Sequence, residues 1–268
     1  MTFAEAKRIL AEAGVPDAEY SASEIFTELG GIPRLKLTLG CAESDSPRVI
    51  DAVRRRAERE PLQYIIGYTY FFREKYRVTP ACLIPRSDTE VLVDTAVRML
   101  PEGADFLDLC TGSGCVGIST LKNTVGTAAT LVDISADALD VARLNAEENQ
   151  VADRATFLEM NVLEELPQGS FYAVLSNPPY VSIGAYGELP EELYREPSIA
   201  LLGGEDGGDF YRSLTPRILP ILAEGGFIAY EIGYDQAQLL REIAEKHSLQ
   251  CRIIKDLSGN DRVALLIK

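Results

Sequence analysis

An amide, two prolines and a phenol stand in a row at Asn177-Pro178-Pro179-Tyr180. They follow Phe171–Ser176, an apolar run that reads as a buried strand. Open α/β sheets bind ligands beyond the carboxyl ends of their strands, so the position suits chemistry. The Asn177 amide oxygen can accept one hydrogen of an NH2 group. The Pro178 carbonyl can accept the other, because proline lacks only its own N–H. The Tyr180 ring can cover a flat π-system. Asn177, Pro178, Pro179 and Tyr180 are therefore candidates for binding a planar –NH2 group, with Asn177 and Pro178 as the catalytic pair. An Asn-Pro turn that merely ends a strand is the plainer alternative.

A second constellation lies upstream, in Asp108-Leu-Cys-Thr-Gly-Ser-Gly-Cys-Val-Gly117. Gly112, Gly114 and Gly117 match G-x-G-x-x-G, by itself a weak signal for a nucleotide at a helix N-terminus. Asp133 closes the next predicted strand, 19 residues beyond Gly114, where a carboxylate can accept from both hydroxyls of a ribose. Asp108 narrows the choice. A carboxylate just before the loop would repel a pyrophosphate and attract an ammonium or a sulfonium. S-adenosylmethionine carries both cations and no phosphate, so Asp108 and Asp133 fit it better than NAD. Asp108 could equally stabilise the loop by accepting backbone N–H groups, and both roles can coexist. Cys110 and Cys115 read as small packing residues.

These candidates must be carried by a sheet. From residue 104 the chain alternates predicted strands (104–110, 128–133, 155–159, 171–176, 226–232) with helices (136–149, 208–222, 236–247). Two last strands, 250–256 and 262–267, are expected as an antiparallel pair at one edge. This alternation predicts a mostly parallel, doubly wound, seven-stranded sheet. Residues 1–67 have helical spacing broken by Pro16, Gly30-Gly31, Pro33, Pro47 and Pro61, which predicts a small helical bundle. Residues 68–84 read as a β-hairpin linker, with strands at 68–72 and 76–79. Residues 85–268 form the expected catalytic domain. Within it, Ser87 and Glu90 read as a capping box for a helix through Leu100.

Composition narrows the function classes. The 268 residues carry a net charge of −15, which argues against a general nucleic-acid binder. The run Arg54-Arg55-Arg56 with Arg59 is expected on a solvated helix face. Five scattered cysteines form no C-x-x-C pair, so neither a disulfide framework nor a metal site is indicated. The single histidine, His247, is expected near a helix end and makes histidine triads improbable. No membrane-length apolar stretch and no signal-peptide layout are present, and a reducing cytoplasm is the expected location.

Together these residues carry a family resemblance. Asp108-x-x-Thr-Gly-Ser-Gly114, Asp133 and Asn177-Pro-Pro-Tyr180 resemble class I (Rossmann-like) S-adenosylmethionine-dependent methyltransferases acting on a planar amide or amine. Pro61-Leu-Gln-Tyr-Ile-Ile-Gly67, Pro85-Arg-Ser-Asp-Thr-Glu90, Glu196–Gly207 and Gly259-Asn-Asp-Arg-Val263 add specificity. The set, in this order and over nearly the whole chain, resembles the HemK/PrmC-type protein-glutamine methyltransferases. The resemblance implies a substrate, the glutamine of the Gly-Gly-Gln motif in bacterial peptide chain release factors, methylated on its amide nitrogen. S-adenosylhomocysteine would be the product and no metal would be needed. It also implies cofactor contacts at Asp108, Cys110, Thr111, Gly112, Ser113, Gly114, Asp133, Asn161, Val162 and Asn177. Apart from the resemblance, the helical bundle with the hairpin is expected to shape a groove for the protein substrate, because a glutamine alone needs no such domain; a monomer without stable binding to nucleic acid or membrane is expected. Two positions depart from the family pattern: Cys110 stands where a glycine is usual, and Asn161 where an aspartate is often found. A glutamine methyltransferase for a ribosomal protein, an adenine methyltransferase, an NAD-dependent oxidoreductase and a non-enzymatic binding module are the competing expectations.

Overall fold

Thr2 opens the chain's first helix with a capping box: its hydroxyl accepts the Glu5 N–H at 3.2 Å, and the Glu5 carboxylate accepts the Thr2 N–H at 2.7 Å. Helix α1 (Phe3–Glu12) is followed by α2 (Ala18–Glu24), which runs on into a π-helical turn at Ile25–Leu29. Helices α3 (Arg34–Thr38), α4 (Pro47–Ala57) and α5 (Leu62–Ile66) complete the set. Leu10, Ile25, Phe26 and Val49 fill their common core. In the computed structural model, which describes residues 1–268, these helices belong to one unit, Met1–Tyr68 together with Pro190–Arg195. The second unit is Thr69–Leu189 with Glu196–Lys268.

The basic run in α4 is not a solvated face throughout. Arg56 is 4% exposed and donates to Ser21, Asp17, the Glu60 carbonyl and Glu192. Arg59 grips Glu192 with two bonds, at 2.9 and 2.7 Å. A guanidinium is satisfied in a buried place only by such a fork of acceptors. These two arginines hold the 190–195 segment onto the helical unit. Arg54, by contrast, stays exposed and pairs with Asp51 and Glu58.

The second unit begins with a hairpin, β1 (Tyr68–Phe71) and β2 (Glu74–Arg77). It turns at Phe72-Arg73, both with positive φ, so its second strand starts two residues earlier than the sequence suggests. Two-residue hairpin turns need this backbone to match strand twist. Its side chains are not merely a linker's: Phe71 and Tyr76 are buried in the core of the second unit. Glu90 also differs from expectation. Its carboxylate accepts the Phe72 N–H at 2.8 Å and thereby braces the turn. No capping box forms; a 3-10 turn at Ser87–Thr89 leads into α6 (Glu90–Met99).

The sheet comprises β3 (Asp105–Leu109), β4 (Ala128–Asp133), β5 (Ala155–Glu159), β6 (Phe171–Ser176), β7 (Leu222–Glu231), β8 (Gln250–Lys255) and β9 (Asp261–Ile267). Their order is β5-β4-β3-β6-β7-β9-β8. The first five run parallel; β9 is antiparallel to both β7 and β8. Helices α7 (Cys115–Lys122), α8 (Ala136–Glu148), the short α9 (Ile183–Tyr186), α10 (Asp209–Ile218) and α11 (Ala237–Lys246) complete the unit. Leu222 belongs to β7 rather than to the preceding helix, since it pairs with Phe171 in the sheet and is buried there. His247 is the C-cap of α11. The strand order reverses between β3 and β6, and such switch points open a crevice at the carboxyl ends of the strands.

Candidate active site

The loop after β3 is built around Asp108. Its carboxylate is 1% exposed, accepts the Thr111 hydroxyl at 2.5 Å and the Gly117 N–H at 2.9 Å, and lines the crevice. A Cβ at Gly117 would lie 2.9 Å from the same oxygen, which accounts for glycine there. Burial pushes the Asp108 pKa up to about 7, against the pull of those two hydrogen bonds. Asp133, at the end of β4, accepts the Gly112 N–H at 2.8 Å and the Ser135 N–H at 3.0 Å. Its pKa is also raised by burial. Each of its oxygens keeps a lone pair for a further donor.

Cys110 has φ +59, the left-handed region where its position departs from glycine. Cys110, Thr111, Gly112 and Ser113 line the crevice. The Ser113 hydroxyl is buried without a partner. Gly114 faces the other way: a Cβ there would meet Ile118 at 2.6 Å. Burial raises the thiols of Cys82, Cys110 and Cys115, Cys82 to about 11, so all three stay protonated and unreactive near neutral pH.

Beyond β5, Asn161 and Val162 form another wall. Asn161 Oδ1 accepts the Leu163 N–H at 3.1 Å and its Nδ2 donates to Glu164 at 2.9 Å, so this side chain organises its own turn.

The tetrapeptide closes the opposite side. Asn177 and Pro179 line the crevice. Asn177 Nδ2 donates to the Thr89 hydroxyl at 3.5 Å. Pro178, between Asn177 and Pro179, is buried. Tyr180 is not part of the lining: its hydroxyl donates to Glu231 at 3.3 Å and its ring packs on the core. Residues 201–207 buttress the tetrapeptide from outside. Val181 and Gly203 exchange backbone bonds with Leu201 and Val181, at 2.8 and 2.9 Å. A Cβ at Gly203 would sit 2.5 Å from the Pro179 oxygen, and one at Gly207 2.1 Å from that of Tyr180. Gln236 donates to the Tyr180 carbonyl at 3.1 Å.

Several site residues escaped the sequence analysis as chemistry. Glu196, almost wholly buried, accepts the Ile84 N–H at 3.0 Å and pairs with Arg86. It ties the 83–86 and 197–200 segments together as two walls of the crevice. Thr89 lines the crevice beside Asn177, while Glu231, bonded to Tyr180, and Arg262, paired with Asp88, do not reach its lining. The segments 85–90, 196–207 and 259–263 flagged their own importance, but no spacing rule says that they meet. The crevice encloses about 250 Å³, and Ile134, Val162 and Phe210 give it apolar walls. No group of three His, Cys, Asp or Glu side chains could hold a metal.

The fold has solved counterparts. A methyltransferase from Pyrococcus furiosus matches 72% of this chain and 87% of its own, with a TM-score of 0.53 at 21% identity. A ribosomal protein L11 methylase from Lactobacillus delbrueckii subsp. bulgaricus matches with a TM-score of 0.52 at 18% identity, over 72% and 83%. At such identities the likeness concerns the fold alone. Residues 87–198 match the family model described as "Methyltransferase small domain", and residues 2–67 the "PrmC N-terminal domain". The fold and the crevice are those of a Rossmann-like α/β methyltransferase. Curated relatives define it more closely. Proteins named "Release factor glutamine methyltransferase" from Caulobacter vibrioides and Geobacter sulfurreducens are each 36% identical, over 98% and 95% of this chain and 94% and 91% of their own lengths. The chain belongs to the release factor glutamine methyltransferase family.

Proposed function

We propose that this chain transfers the methyl group of S-adenosylmethionine to the side-chain amide nitrogen of the glutamine in the Gly-Gly-Gln motif of bacterial peptide chain release factors. The observation that carries this is Asn177, which lines the same crevice as Asp133 and the glycine loop and has its amide nitrogen engaged by the Thr89 hydroxyl. The residues present fit the cofactor. Asp133 can accept from ribose hydroxyls, the partnerless Ser113 hydroxyl awaits a polar group, and the Asp108 carboxylate suits a cationic ligand. Ile134, Val162 and Phe210 suit a flat base. When bound, S-adenosylmethionine supplies a methyl group on a positively charged sulfur.

The chain's own residues do the rest. An amide nitrogen is a poor nucleophile because its lone pair is delocalised into the carbonyl. Asn177 Oδ1 and the Pro178 carbonyl accept its two N–H bonds, orient the lone pair and stabilise the positive charge that arrives with the methyl group. The resulting cation is strongly acidic and loses one N–H proton to water without a dedicated base. Tyr180 supports this site from behind. The helical unit, residues 1–67, serves as the recognition domain for the protein substrate. Its exposed Leu35 and Leu39 offer apolar surface to a partner. No helix is long and apolar enough to cross a membrane; a translation-factor substrate supports a cytoplasmic location.

The test is incubation with methyl-labelled S-adenosylmethionine and an unmodified release factor, beside a version whose Gly-Gly-Gln glutamine is alanine. Label on the glutamine form alone is expected. Equal label on both, or none while the cofactor still binds by calorimetry, would refute the assignment. Replacing Leu35 and Leu39 by serine should raise KM for the release factor and leave the cofactor Kd unchanged.

A further inference from the structure

An asparagine amide is nearly symmetric in shape, yet a flip about its last bond exchanges an acceptor for a donor. If Asn177 presented its nitrogen to a substrate –NH2, donor would face donor. Its orientation is therefore part of the chemistry, and something must set it. Asn177 Nδ2 points at Thr89 Oγ1, 3.5 Å away, on a residue that is 2% exposed. A hydroxyl that accepts must send its own proton elsewhere.

Glu231 can take it. Ser176 and Tyr230 are register partners on parallel strands β6 and β7, so Asn177 and Glu231 stand side by side at the strand ends. Glu231 is 2% exposed. Its Oε1 accepts the Tyr180 hydroxyl at 3.3 Å, while Oε2 is buried without a partner. Thr89 and Tyr180 are the two hydroxyls that act on this carboxyl, with Arg262 offsetting its charge and Asp88 nearby, itself paired with Arg262 at 3.2 Å. One carboxyl thus stands at the strand end beside Asn177 and bonds Tyr180 directly. A carboxyl buried this deeply is costly unless it is hydrogen-bonded, so the partnerless Oε2 calls for a donor, and the proton of the accepting Thr89 hydroxyl calls for an acceptor.

We propose that Glu231, acting through the Thr89 hydroxyl, locks the Asn177 amide with its oxygen toward the substrate nitrogen, which makes Thr89 and Glu231 positioning residues for methyl transfer. The proposal rests on the reading of Asn177 as the acceptor for the substrate amide.

The experiment uses the full chain with methyl-labelled S-adenosylmethionine and an unmodified release factor, and calorimetry for the cofactor. Thr89→Val removes the acceptor and should lower kcat about tenfold, the worth of one orienting hydrogen bond, with cofactor Kd unchanged. Thr89→Ser keeps the hydroxyl and should recover most of that loss. Glu231→Gln brings an NH2 that competes for the Thr89 oxygen and should also lower kcat. The sharpest arm is Asn177→Asp, whose two oxygens both accept and need no orienting. In that background Thr89→Val should cost much less than in the parent, whereas a merely structural threonine would cost the same in both. A Thr89→Val enzyme with normal kcat, a serine variant as slow as the valine one, or equal losses in both backgrounds would overturn the proposal. If Thr89→Val does not fold, Thr89→Ala carries the same comparison. If Asn177→Ala itself keeps normal turnover, the acceptor reading fails first and the orienting role with it.

Discussion

The two ends of the crevice are built on different principles. The cofactor end is a backbone device. Asp108 accepts the N–H of Gly117 and Asp133 those of Gly112 and Ser135, and the missing Cβ of Gly117 lets main chain come close to the Asp108 carboxylate. The acceptor end is a side-chain device. Asn177, Thr89, Tyr180, Glu231 and Arg262 come from four separate stretches of chain and are brought together only by the fold. A backbone device is local, so its parts lie within a few residues of each other or at adjacent strand ends. A side-chain network depends on the order of strands and tolerates no missing member.

If the ends are separable, damage to one should spare the other. Asn177→Ala should show this most strongly, with turnover down roughly a hundredfold or more and cofactor Kd unchanged. A parallel loss of cofactor binding would merge the two ends into one. Gly207→Ala attacks the same end through the backbone. Its φ is +78 and its Cβ would lie 2.1 Å from the Tyr180 oxygen. A stability loss of about 2–5 kcal/mol in denaturant titrations is expected from left-handed strain plus overpacking. At the cofactor end, Asp133→Ala should weaken S-adenosylmethionine about tenfold or more by calorimetry. The kcat at saturating cofactor should change far less.

The pH dependence gives a smaller effect of definite sign. Asp108 titrates at about 7 in the fold, above its ordinary value of 3.8. Between those values the folded protein holds a proton that the unfolded chain has released. Rising pH across this window therefore removes stability. Asp108→Asn should abolish this component, so stability curves of parent and variant should diverge between about pH 4 and pH 7. Parallel curves would show that Asp108 is ionised throughout. The smallest effect belongs to Cys110→Gly. Relief of a left-handed non-glycine residue should raise stability by about 1 kcal/mol in chemical unfolding, with cofactor affinity little altered.

Much of the fold could be read from the chain. Buried parallel strands are continuous apolar runs, and all seven, with the antiparallel pair at the edge, lie where the pattern puts them to within a few residues. The errors have local causes. Glu90 has capping-box spacing but bonds the Phe72 N–H, a donor 18 residues away that the hairpin turn at Phe72-Arg73 brings to it. Arg56 looks like its exposed neighbours, yet it is buried among Ser21, Asp17 and Glu192, acceptors no helix-face pattern could foresee. Tyr180 sits in the right peptide for stacking on a substrate, but its hydroxyl found a carboxylate first.

Residue type and short-range spacing were enough for the strands, the glycine loop with its acids and the tetrapeptide, since each is written within one or two elements; the family came from resemblance to motifs along nearly the whole chain. The pairing of Glu196 with Arg86, the bracing of the tetrapeptide by Gly203 and Gly207, and the nearness of Glu231 to Thr89 are of another kind. They join residues about 25 to 140 positions apart, and which of these meet depends on strand order and on the register of β6 with β7. Hydrophobic pattern says that a strand is buried. The hydrogen-bonded ladder between strands says what its last residue touches, and in this protein those last residues include Asn177's immediate support.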